Sequence, residues 1–111
     1  MDIQTRPEGR ATVISASGKI DAMTAPSFES LISDLIGEGK LCLVLDLGAV
    51  EYISSAGLRV ILASAKSLKG KSGKLLLANA RGSVQEVLEI SGFGTVFSIY
   101  DSLEAALEAA G

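Results

Sequence analysis

Residues 41–66 read LCLVLDLGAVEYISSAGLRVILASAK. The near-continuous apolar run over 41–47, with Asp46 at its end, predicts a central strand covered by helices. A short loop follows, and then Ser54 and Ser55 stand before Ala56-Gly57-Leu58. Leu58, Ile61, Leu62, Ala65 and Leu68 recur at helical spacing and predict a helix over 56–68 with that stripe buried. The arrangement puts a modifiable hydroxyl at a helix N-terminus, on a surface rich in small residues. It suggests a phosphorylation switch rather than an active site.

On the N-terminal side, residues 3–7 predict a short edge strand, Glu8-Gly9 a turn, and residues 11–17 a second strand. Gly18-Lys19-Ile20-Asp21 then leads into a helix with Pro26 in its first turn. Phe28, Leu31, Ile32, Leu35 and Ile36 form its apolar stripe, and Gly37 and Gly39 end it. On the C-terminal side, residues 70–73 form a turn and 75–78 a strand. Ser83 and Glu86 fit a capping box for a short helix carrying Val84, Val87, Leu88 and Ile90. Residues 96–99 predict the last strand. Asp101 and Glu104 fit a second capping box, opening a helix with Leu103, Ala106 and Leu107. The fold class is therefore α/β. One domain over 1–111 carries a mixed β-sheet with an N-terminal hairpin, then alternating strands and covering helices joined by parallel crossovers.

A chain of 111 residues can bury a core without disulfides or metals. Cys42 is the only cysteine and lies in the apolar strand, so it reads as inert core. Thirteen acidic residues against ten basic ones give a net charge of −3. Lys66, Lys69, Lys71 and Lys74 form a loose cluster that reads as a solvated helix end and turn, and direct nucleic-acid binding is disfavoured. Met1-Asp2-Ile3-Gln4 lacks the basic and apolar regions of a signal peptide. No apolar run reaches the roughly 18 residues of a membrane span. The expected compartment is the cytoplasm, with no membrane partner.

The chain has no histidine, which removes Ser-His-Asp and Cys-His catalysis and His-ligated metal sites. Gly92-Phe93-Gly94 begins like a dinucleotide loop, but position 97 is Phe and the segment precedes a strand. Gly70-Lys71-Ser72 resembles the end of a phosphate-binding loop, but the required earlier glycine is Ala65 and a helix precedes it. Asp46 and Glu51 read as a strand end and a loop charge. No catalytic residue, metal or cofactor is expected, and the chain does not read as an enzyme.

Binding remains, and the serine pair is where it points. Either serine suits the N-cap, accepting from an orphan backbone N–H. Gly57 sits inside the first helical turn, where it costs about 1 kcal/mol relative to Ala. A glycine there makes sense if another surface approaches the backbone closely. Gly57, Val60 and Ser64 line the flank away from the apolar stripe, an expected docking surface. A phosphoserine at the helix start is favoured by exposed N–H groups and the dipole. It would add roughly two negative charges without unfolding the domain.

The order strand–Asp46–loop–Ser54-Ser55-Ala56-Gly57-Leu58 resembles the STAS domains of bacterial anti-sigma factor antagonists. Gly18-Lys19-Ile20-Asp21, with Thr24-Ala25-Pro26 after it, resembles their second landmark. Residues 96–107, VFSIYDSLEAAL, resemble their closing strand and helix. The likeness covers almost the whole chain. It implies an anti-sigma factor antagonist that binds an anti-sigma factor acting also as a serine kinase, and so releases the sigma factor. Phosphorylation would break the complex and a phosphoserine phosphatase would restore it, the free chain being a monomer.

The family's phosphoacceptor follows an Asp and stands two residues before the glycine. That count gives Ser55; Ser54 occupies the Asp position and is the alternative acceptor. The resemblance brings Asp21 and Thr24 to the partner surface, beside Ser54, Ser55, Ala56, Gly57, Arg59, Val60 and Ser64. Arg59, one turn beyond Ser55, is either a phosphate partner or a solvated surface arginine. The alternatives are an interaction subunit of a transport or signalling complex that is never phosphorylated, and a small enzyme of unknown chemistry.

Overall fold

The apolar run at 41–47 is only the first half of β3, which spans Cys42–Ile53. A computed structural model describes residues 1–95 and 97–111. Its other strands are β1 (Asp2–Glu8), β2 (Ala11–Ile20), β4 (Lys74–Ala78) and β5 (Ser98–Tyr100). Among the described residues they form one five-stranded sheet in the order β1-β2-β3-β4-β5. β1 and β2 are an antiparallel hairpin, and every later pairing is parallel. Gly9, at φ +63°, makes the hairpin turn, a conformation that costs glycine no steric strain.

The parallel strands are linked by α1 (Ala25–Gly37), α2 (Ser55–Gly70) and α3 (Gly82–Ile90), and α4 (Leu103–Ala110) closes the chain. Parallel crossovers between sequential neighbours share one hand as a rule, which puts the linking helices on one face. Phe28 and Ile32 of α1, Ile61 and Leu68 of α2, and Val84 and Leu88 of α3 accordingly share one core with Leu43 and Leu45. A smaller cluster forms where Ala106 and Ala110 of α4 meet Val13, Val44 and Leu76. Cys42 is half-buried against it.

Several local expectations are corrected. Asp46 is not a strand end: β3 runs on because β2 is longer too, and the two pair through Ser17↔Ala49, Lys19↔Tyr52 and Ile20↔Ile53. Register shifts between Ser15 and Ser17 and between Gly18 and Lys19 interrupt the period of two there, as bulges do. The buried residues of α2 are Gly57, Val60, Ile61, Ser64 and Leu68, while Leu58, Leu62 and Ala65 are only half-buried. The helix packs on α1 as well as on the sheet, with Val60, Ala63 and Ser64 on the α1 side.

Ser83 does not cap α3, whose N-cap is Arg81; its hydroxyl instead donates to the Glu51 carbonyl at 3.2 Å. Ile90, at the end of α3, is exposed. Ser102, one residue after Asp101, caps α4 by accepting from the Ala105 N–H at 3.1 Å. Of the expected last strand, Ser98 and Ile99 lie in β5 and Val96 is outside the described residues.

Candidate functional site

The paired ends of β2 and β3 carry the site. The Ser54 N–H donates to the Ile20 carbonyl at 2.8 Å, and the Ser54 carbonyl accepts from the Leu58 N–H at 3.0 Å. Its backbone is extended, at φ −89° and ψ 174°, and its Oγ accepts from the Gly57 N–H at 3.4 Å. Ser54 is thus the N-cap of α2. Ser55 follows as the first helical residue. It is exposed, and among the described residues its hydroxyl has no hydrogen-bond partner. The first turn of α2 contains no acidic side chain, so nothing within it offsets the positive end of the helix dipole.

Gly57 explains how the helix start is seated. A Cβ there would lie 2.7 Å from Ile20 Cγ2, 3.1 Å from the Ile20 carbonyl oxygen and 3.1 Å from Ile53 Cγ2. The surface that approaches this glycine is the chain's own strand ends. Gly57, Val60 and Ser64 therefore do not form an outward docking flank. All three are buried, and the Ser64 hydroxyl donates back to the Val60 carbonyl at 2.7 Å. Val60 shows only 6% of its surface.

The turn between β2 and α1 lies beside this helix start. Asp21 Oδ1 accepts from the Met23 N–H at 3.0 Å and the Thr24 N–H at 3.1 Å. In return Thr24 Oγ1 accepts from the Asp21 N–H at 2.9 Å and donates to the Lys19 carbonyl at 2.9 Å. The Thr24 N–H, followed by that of Met23, holds the Asp21 carboxyl below its ordinary range because hydrogen bonding favours the charged form. Asp21 and Thr24 thus build the turn, whatever else they touch. The turn displays Met23, which is 87% exposed. The sequence does not single this residue out, because lone exposed apolar side chains are common.

Between the N-terminal turns of α1 and α2 lies a groove of about 480 Å³, lined by Ala22, Ala25, Ala56, Val60 and Ala63 together with Glu29 and Arg59. Arg59 is exposed. The ion pair found among the described residues is Arg6–Glu8, so Arg59 has no carboxylate partner there. Ser55, Ala56, Arg59 and the turn at 21–24 come together at one end of the molecule. Asp46 does not join them: its Oδ1 accepts from the Gly48 N–H at 3.0 Å and Asn79 Nδ2 at 3.1 Å, which ties β3 to the end of β4. Among the described residues no cluster suits a metal, and no helix is long and apolar enough to cross a membrane.

Comparison with known proteins agrees with this architecture. The STAS domain family matches residues 2–106. The Bordetella bronchiseptica protein BtrV, assigned by its name to the anti-sigma factor antagonists, is 42% identical over 92 residues, 83% of this chain and 79% of BtrV. The Mycobacterium tuberculosis anti-sigma-F factor antagonist RsfB is 34% identical over 96 residues, 86% of this chain and 77% of RsfB. The crystal structure of an anti-sigma factor antagonist from Mycobacterium paratuberculosis superposes with a TM-score of 0.90 at 32% identity, covering 98% of this chain and 92% of that one. The chain belongs to the STAS domain family of anti-sigma factor antagonists.

Proposed function

We propose that this chain binds an anti-sigma factor that is also a serine kinase, thereby freeing a sigma factor, and that phosphorylation of Ser55 ends the complex. The observation that carries the proposal is the division between the two serines. Ser54 is committed to capping α2 through the Gly57 N–H, whereas Ser55 is exposed and unpartnered.

The kinase transfers the γ-phosphoryl group of ATP to Ser55 Oγ. The Oγ–P bond forms, the bond from the γ-phosphorus to the bridging oxygen breaks, ADP leaves, and the serine proton passes to a base on the kinase. The product dianion sits at a helix N-terminus, where backbone N–H groups without intrahelical acceptors and the dipole favour it. Arg59, four residues on and free of a carboxylate partner, is a second cation for it. The fold therefore tolerates the modification. A partner docked over Ser55, Ala56, Arg59 and the Asp21–Thr24 turn does not, because two new charges enter a desolvating contact. A phosphoserine phosphatase restores the binding form. The chain works in the cytoplasm, is a monomer when free, and has no catalytic activity of its own.

The test is mass spectrometry after incubation with the cognate kinase and ATP. One phosphate is expected, on the peptide position of Ser55, and none on Ser55→Ala. Modification of Ser54 with normal release of the partner would refute the assignment. Binding indifferent to Ser55 would instead support an interaction subunit without a switch.

A further inference from the structure

The other end of α2 carries a feature that the switch does not use. A groove of about 450 Å³ opens between the C-terminal half of α2 and the strands β4 and β5. That volume lies within the range of small-ligand sites, about 300–1,000 Å³. Its wall on α2 is Leu62 and Ala65, both only half-buried. Leu75 of β4 and Phe97 also line the groove, both nearly buried, at 6% and 7% exposure. Phe97 is held in place by Phe93, with ring centroids 5.1 Å apart. The fold thus leaves part of its own apolar lining uncovered, next to side chains that are fixed.

The rim is cationic. Lys66 and Lys69 both line the groove and, three residues apart on one helix, are surface neighbours. Both are exposed. Among the described residues neither has a hydrogen-bond or carboxylate partner, and no acidic side chain lines the groove. Lys69 lies in the last turn of α2, where a cation offsets the dipole; Lys66, a turn earlier, has no such role. Lys74 also lines the groove, but its Nζ donates to the Ala109 carbonyl at 3.3 Å. Two free ammonium groups beside an apolar trough stand out in a chain whose net charge is −3.

We propose that this groove binds a single-chain amphiphilic anion, such as a medium-chain acyl carboxylate, with its head at Lys66 and Lys69 and its tail along Leu62, Ala65, Leu75 and Phe97. Charge-assisted contacts fix the head, and burial of apolar surface holds the tail. Lys66 lies eleven residues beyond Ser55, about 16 Å along the helix at 1.5 Å per residue. The groove is therefore remote from Ser55, and its occupancy can be measured whether or not Ser55 is phosphorylated.

The experiment titrates the labelled protein with decanoate below its micellar concentration and follows backbone amide shifts by NMR. Decanol serves as the uncharged control, and sedimentation with phosphatidylglycerol vesicles separates a free anion from a lipid surface. Saturable shifts confined to the groove, weakened about tenfold or more in the Lys66→Glu/Lys69→Glu double variant, are expected from the loss of two charge-assisted contacts. The substituted positions are exposed, so a cooperative unfolding transition, its midpoint lowered only by the lost dipole contact of Lys69, confirms that the variant folds. Absence of saturable shifts, equal affinity in the variant, equal response to decanol, or sedimentation with vesicles without a decanoate response would each overturn the proposal.

Discussion

The Ser54 N–H donates to the Ile20 carbonyl at 2.8 Å, so the start of α2 is bonded to the last residue of β2. One residue later Asp21 opens the turn that displays Met23. Through this bond the candidate phosphoacceptor and the turn share one rigid support. The site is therefore preorganised by two strands rather than borne on a free loop, which suits recognition by a kinase and a phosphatase in turn.

Gly57→Ala tests how that support is built. A Cβ would lie 2.7 Å from Ile20 Cγ2, so the helix start must shift. Overpacking of this kind destabilises by about 1–3 kcal/mol, more than the roughly 1 kcal/mol that alanine gains in helix propensity. The urea midpoint is expected to fall. A raised midpoint would mean that the close seating of α2 on β2 and β3 is wrong.

The two serines should separate in stability measurements. Ser54→Ala removes the cap and is expected to cost about 1 kcal/mol. Ser55→Ala removes a hydroxyl with no partner and should stay within about 0.5 kcal/mol of the parent. Equal losses for the two would contradict the assignment of cap and acceptor.

Asp21 links the turn to pH. Its folded carboxyl is held below the ordinary range, first by the Thr24 N–H. A depressed folded pKa contributes stability that is fully present above the unfolded value, near 3.9, and is lost as pH falls through the folded value. The stability gap between the parent and Asp21→Asn is therefore expected to be widest near neutrality and to shrink below about pH 4. A gap that persists unchanged in acid would remove the carboxylate from the turn's support.

Met23 offers most of its surface to solvent and makes no core contact that the fold requires. Met23→Ala should leave the unfolding midpoint unchanged. If the turn meets the anti-sigma factor, the same change should weaken binding about tenfold, the loss of roughly 1.4 kcal/mol typical of a buried anchor. Unchanged affinity would take the turn out of the interface.

How far the sequence discloses this arrangement depends on residue type. The first half of β3 is legible because Leu43, Val44, Leu45 and Leu47 are unbroken apolar core. The second half is not. Gly48, Ala49, Glu51 and Tyr52 show no alternation, and bulged pairing to β2 removes the period that would have marked a strand. In α2 the leucines predict one buried face, but Gly57 is buried against Ile20 and Ile53, and Val60 and Ser64 are buried beside α1. Small side chains give little periodic signal, so a helix that packs on two surfaces is read as packing on one. A serine cap at 54 or 55 is legible from N-cap preference, and the structure selects Ser54. The exposure of Met23 depends on the reciprocal hydrogen bonds of Asp21 and Thr24, which local composition does not disclose.

A phosphate on Ser55 is expected to break the complex without breaking the fold. Calorimetry of the anti-sigma factor against this chain, with and without stoichiometric phosphate at Ser55, measures it directly. The unfolding midpoint of the phosphorylated chain, taken in parallel, separates lost binding from lost structure. An affinity at least about a hundredfold lower, equivalent to roughly 2.8 kcal/mol, with an unchanged or raised midpoint is the expected result. Equal affinity for the two forms, or a midpoint that collapses on phosphorylation, would contradict it.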